Sequence, residues 1–195
     1  MYKIKLLLLG LLICVFTCIS CIVYAFPNES NGFRQYHFGM NRNEVLSVLN
    51  KDIVIKKDFF FNDNYNSFME IEVDNDYISG FLIKDQTISL EFIQDKLMVI
   101  NITVIEDSNL WNTSAEIRDA LKNNMISLYG DPKITKEYFG GALAYEWKGK
   151  KTQILLRAAY PSNKEAILLI RPVNYDDVLN NMEKAKLNDK DYQGW

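Results

Sequence analysis

The chain has 195 residues, with 22 basic and 25 acidic side chains, one histidine and three cysteines. Its formal charge of −3, and the lack of any basic run beyond the pairs Lys56-Lys57 and Lys150-Lys151, exclude the concentrated positive face that a nucleic-acid binder needs to displace counterions. Aromatic residues at 13% and hydrophobic residues at 48% place it among folded rather than disordered chains.

Residues 1–25 carry Lys3 and Lys5, then an apolar run, then Val23-Tyr24-Ala25 before Phe26-Pro27. This is the pattern of a signal peptide: the basic end stays in the cytoplasm, the apolar stretch partitions into the membrane, and small residues fit the cleavage pocket. Three fates are compatible with it. Cleavage can follow Ala25. Cys21, preceded by Cys18-Ile19-Ser20, can be the acylated residue of a lipoprotein. Leu6–Ala25, 20 residues without a charge, can also stay as an anchor across a hydrocarbon core of about 30 Å. In each case the bulk of the chain is exported, to the periplasm or the extracellular space. All three cysteines lie in this segment, so the remaining 170 residues have no thiol and only His37 as histidine. Disulfides, Cys/His zinc sites and a cysteine nucleophile are thereby excluded, and no Gly-x-Ser-x-Gly elbow occurs.

Residues 26–32 read as a flexible leader and Phe33–Phe38 as a short strand, with His37 a half-buried structural residue beside the core. Asn41 and Glu44 stand at capping-box spacing and open a helix over Asn41–Asn50. From Ile53 to Glu106 the pattern turns to strands. Phe68–Val73 alternates apolar and charged residues, and Tyr77–Ile83 and Thr87–Ile93 continue the sheet. After a turn at Gln94-Asp95-Lys96, Leu97–Ile105 is a strand whose face of Met98, Ile100, Ile102 and Val104 is wholly apolar and is the expected core face. Asp74-Asn75-Asp76 and Asn62-Asp63-Asn64 read as polar turns, since the first lacks the glycine and terminal glutamate of a calcium loop.

Thr113 or Ser114 opens a second helix, in which Ile117, Leu121, Met125 and Leu128 form the expected buried stripe, with Gly130 and Pro132 as stop signals. Strands follow at Lys133–Phe139, Ala142–Lys148, Thr152–Ala159 and Ala166–Pro172, with a hairpin turn at Gly149-Lys150. Tyr175–Leu187 reads as a last helix, and residues 188–195 as a polar tail. The expected class is α+β, with helices packed on one face of an antiparallel meander. Residues 33–107 and 108–187 read as two tandem helix-plus-sheet units, the second carrying the C-terminal helix.

The run Phe33-Arg-Gln-Tyr-His-Phe-Gly-Met-Asn-Arg-Asn-Glu-Val45 resembles the aromatic-Gly-Met-x-x-x-Glu-Val opening of many exported bacterial proteins of unknown function. Leu128-Tyr-Gly-Asp-Pro132, with Trp147 and Thr152–Leu156 downstream, is similar to their Tyr-Gly-x-Pro and Trp-strand signature. The Gly-Met opening also resembles the small lipoprotein of the outer-membrane barrel assembly machine (SmpA/BamE-like) and the tandem β-lactamase inhibitory protein. The chain departs from the first in its poor lipobox and from the second in its lack of mature cysteines. The resemblance implies a non-catalytic binding module and transfers no site residue.

The most unusual local composition is Phe59-Phe60-Phe61 with Tyr65, followed in the second unit by Tyr138-Phe139 and by Tyr145 and Trp147. Three consecutive aromatics force at least one onto the solvent side of a strand, and aromatics are enriched in interface hot spots. Phe59, Phe60, Phe61, Tyr65, Tyr138, Tyr145 and Trp147 are therefore the candidate protein-binding residues. The reading is a non-enzymatic bacterial envelope protein that binds another protein through an aromatic sheet face, without cofactor or metal, touching the membrane only through its N-terminal segment. The alternative is a hydrolase that works through two carboxylates.

Overall fold

The computed structural model describes residues 29–49, 54–61, 66–74, 76–105, 114–136, 143–158 and 165–188. The first elements among the described residues form a small hairpin, β1 (Gly32–Phe33) and β2 (Tyr36–His37), in place of the single strand expected over Phe33–Phe38. Arg34, at φ 55°, makes the reversal. His37 is exposed, and Tyr36 is the residue buried in the core. Helix α1 (Arg42–Val48) follows, and its capping box is complete: the Asn41 side chain accepts from the Glu44 N–H at 2.9 Å, and the Glu44 carboxylate accepts from the Asn41 N–H at 2.7 Å.

The sheet strands are β3 (Ile55–Phe60), β4 (Asn66–Glu72), β5 (Tyr77–Ile78), β6 (Phe81–Ile93), β7 (Lys96–Ile105), β8 (Lys133–Lys136), β9 (Leu143–Lys148), β10 (Thr152–Ala158) and β11 (Ala166–Pro172). Helix α2 (Ser114–Tyr129) joins β7 to β8, and α3 (Tyr175–Asn188) follows β11. Strands β3 to β11 form one antiparallel sheet ordered β3-β4-β6-β7-β11-β10-β9-β8, with β5 hairpinned onto β6, apart from the β1-β2 hairpin. Ser79-Gly80 and Gln94-Asp95 make two-residue turns with positive φ at both positions, which suits the twist of the flanking strands.

The order reads alike from either edge. A helix precedes a four-stranded meander, and in each half the last strand, β7 or β11, lies at the centre. There β7 and β11 pair antiparallel from Ile100–Ile170 to Val104–Ala166. The two halves thus share one continuous sheet, and their apolar rungs run across the join. Met69, Leu90, Ile100, Ile170, Ile154 and Trp147 are cross-strand neighbours in succession, as are Ile71, Ile88, Ile102, Leu168, Leu156 and Tyr145. Both rungs are buried in the main core beneath α1 and α2, through Val45, Ile117, Leu121 and Met125. Each such side chain contributes about 1.5–3 kcal/mol relative to exposure.

Three expectations are corrected. The helices do not share one face. Helix α3 lies on the opposite side, where Tyr175, Val178, Leu179 and Met182 pack on a separate cluster of Ile93, Met98 and Val99. Met98 is therefore not on the face of Ile100, Ile102 and Val104. Glu91 pairs with Val99 but Phe92 pairs with Leu97, so Met98 is the extra residue of a bulge that inverts the alternation. Finally, Leu128 is 48% exposed. The buried side of α2 centres on Leu121 and Met125 and leans toward Arg118 and Tyr129, leaving Leu128 on its flank.

The end of α2 is closed as expected. Gly130 adopts φ +82°, which a side chain would resist, and its N–H reaches the Ile126 carbonyl at 2.8 Å. Trp147 Nε1 then donates to the Gly130 carbonyl at 2.8 Å. This bond ties the residue that ends α2 to strand β9.

Candidate functional site: an aromatic corner and a lysine-rimmed cleft

The candidate aromatic residues separate by strand. Phe59, Phe60 and Phe61 are 44%, 57% and 46% exposed on and just beyond β3, an edge strand of the sheet. Phe59 stacks on Phe68 at 5.1 Å between ring centroids and meets Phe61 edge-on at 5.4 Å. Cross-strand pairing of Phe59 with Phe68, then Phe68 with Glu91, then Glu91 with Val99, places this cluster on the α3 side. Phe60 points to the opposite side, where the Arg42 guanidinium lies 5.2 Å from its ring centroid and also pairs with Asp58. Both faces of this corner thus carry exposed aromatic surface. By the alternation of an antiparallel ladder, the outer backbone groups of the edge strand have no strand partner among the described residues.

Tyr145 and Trp147 are corrected. At 5% and 2% exposure they are core residues. They sit on the rungs that α2 covers; the Tyr145 hydroxyl donates to Asp119 at 3.3 Å, and Arg118 and Lys122 lie against its ring. Tyr65 and Tyr138 fall outside the described residues, as do Asn62-Asp63-Asn64 and Asn75. Of the acids along this stretch, Glu70 pairs with Lys57, Glu72 with Lys56, and Asp76 with Arg34.

A second feature, not apparent in the sequence, lies at the same end of the sheet. A cleft of about 570 Å³ is lined by Asn31, Phe38 and Gly39, the β6–β7 turn (Ile93, Gln94, Lys96, Met98), the β9–β10 turn (Lys150, Lys151), Pro172–Asn174, and Asp177 and Val178 of α3. Its floor is apolar and its rim carries three lysines. Asp177 is the single carboxylate among these lining residues, so the cleft does not gather the acid pair that a glycosidase-type mechanism needs.

The wall nearest the N-terminus is held by Glu29. Its carboxylate accepts the N–H groups of Lys150 at 3.0 Å, Lys151 at 2.5 Å and Thr152 at 2.7 Å, and the Thr152 hydroxyl donates to the Ser30 carbonyl. A β-carbon at position 149 would run into this carboxylate, so Gly149 leaves the space for it. The reversal is centred on Lys150-Lys151, one residue later than expected, with the Gly149 N–H on the Thr152 carbonyl at 2.9 Å. Burial pushes the Glu29 carboxyl up, but the three amides and the Lys151 charge outweigh it and leave it below the usual carboxylate range. The leader expected to be flexible is thus fixed from Glu29 onward. Beneath α3, burial raises Glu91, and Tyr175 is raised first by burial and then by the Glu91 charge.

Compared with known proteins, the chain matches no family model, no curated protein and no solved structure.

Proposed function

We propose that this chain is an exported bacterial envelope protein, without a catalytic role, that binds another protein through the aromatic corner at Phe59, Phe60 and Phe61. The observation that carries the reading is the exposure of three consecutive phenylalanines on and just beyond an edge strand, on both faces at once. Leaving such a cluster in water forgoes several kcal/mol of burial that a partner would recover, at about 1.5–3 kcal/mol per large apolar side chain. The open edge adds backbone groups for an extended segment of the partner to pair with. Residues 1–25 supply the export reading, through cleavage after Ala25, lipidation at Cys21 or retention as an anchor.

Capture from envelope extract tests the binding, with the full chain compared against a Phe59→Ser/Phe60→Ser/Phe61→Ser variant. The expected result is a protein retained by the wild type and lost from a variant that still melts like the wild type. Identical captured sets would count against the corner. Mass analysis of the exported protein separates the three fates of the N-terminal segment, by an N-terminus at Phe26, an acylated Cys21 or an intact Met1.

A further inference from the structure

The lysine-rimmed cleft and the chain's N-terminal segment meet at one end of the sheet. Glu29 is fixed on the β9–β10 turn, and only Phe26, Pro27 and Asn28 separate it from the uncharged run that ends at Ala25. Four residue steps reach at most about 14 Å, on the order of the headgroup layer plus a few ångströms. A membrane-held Ala25 therefore keeps the Glu29 end of the cleft within reach of the lipid headgroups. The rim presents the exposed ammonium groups of Lys96, Lys150 and Lys151, and the floor is apolar through Ile93, Met98 and Val178. The facing acids are Asp177 on the lining and Glu29, whose charge is spread over three backbone amides. A locally positive rim over an apolar floor, in a chain that is negative overall, complements an anionic group carried on an apolar body.

We propose that this cleft binds the phosphate-bearing headgroup of an anionic lipid, in the same membrane that holds the N-terminal segment. The proposal rests on that segment staying with the chain as an anchor, since acylation at Cys21 alone would lengthen the reach to Glu29 to eight residue steps, about 28 Å. It is independent of the phenylalanine corner, which it would set close to the membrane surface. Each ammonium near an anionic surface strengthens such an association about fivefold, and the effect collapses when salt shortens the screening length to about 3 Å at 1 M.

The test is lysine acylation, read by mass spectrometry, on the full chain reconstituted in phosphatidylcholine vesicles with and without phosphatidylglycerol. Lys96, Lys150 and Lys151 should label severalfold more slowly in the phosphatidylglycerol vesicles, and the difference should vanish in molar salt. Lys84, held by Glu165 at 2.5 Å near the opposite end of the sheet, should label equally in both. Equal labelling of the three lysines in the two vesicles would overturn the proposal. Failure of the full chain to float with either vesicle would overturn the membrane reading and this inference with it. Protection in the neutral vesicles on adding glycerol phosphate or polyglutamate would overturn the lipid assignment in favour of a soluble phosphate ester or an acidic peptide.

Discussion

Each half of the molecule carries an aromatic strand, and the two fare oppositely. In the second half Tyr145 and Trp147 of β9 lie beneath α2, a helix of 16 residues that spans the rungs they occupy. In the first half α1 has seven residues and buries only Val45, while β3 keeps Phe59 and Phe60 in solvent beside Phe61. The opposite faces differ too. The outer side of the β3 edge carries Phe59, Phe61 and Phe68, whereas the corresponding side of the β8 edge carries Lys133 and Glu146. Strand composition alone therefore does not separate core from exposed surface; whether a helix covers that face of the strand does.

The largest expected contrast is in stability. Trp147→Ala removes a buried indole and its bond to Gly130 together, and should cost roughly 3–5 kcal/mol in denaturant unfolding. Phe60→Ala should stay within about 0.5 kcal/mol of wild type, as exposed substitutions do. A large loss at Phe60 would mean that the corner is part of the core. The next contrast lies within α2. Leu121→Ala should cost roughly 2–5 kcal/mol, and Leu128→Ala on the exposed flank should cost little. Equal losses would return Leu128 to the buried stripe.

Two carboxylates give smaller, opposite pH effects. Glu91 is raised in the folded state, so the folded protein binds its proton more tightly than the unfolded chain. Stability then falls as pH rises from the unfolded carboxylate pKa, about 4.3, through the raised folded value. Glu91→Gln should melt higher than wild type at neutral pH, and the gain should fade in acid. Glu29 is lowered, so its contribution is present above the unfolded value and lost as pH falls through the folded one. Glu29→Gln should lower stability at neutral pH and flatten that acid loss. Melting curves across pH check both signs.

Much of the fold was legible because it is encoded locally. The capping box at Asn41 and Glu44, the Gly130 stop and the strands 97–105 and 166–172 rest on neighbours in sequence, and they stand where the pattern puts them. The inversion at Met98 was not legible, since a bulge depends on the register that the Gln94-Asp95 turn imposes on two strands. The burial of Tyr145 and Trp147 was hidden for a related reason. Period-two alternation gives two faces but not which one a distant helix covers. The cleft draws on five separate stretches of chain, and its Glu29 latch joins residues more than 120 positions apart, so no local motif announces either. The phenylalanine run was visible because its density alone exceeds what one strand face can bury.

The central claim is that the β3 corner is a protein-binding surface, and site-specific photo-crosslinking in intact cells tests it most directly. A photoreactive residue at position 60 or 61 should give one discrete adduct with a second protein. The same residue at Leu128, equally exposed but on the flank of α2, should give none. No adduct at 60 or 61, or the same adducts at 128, would contradict the assignment.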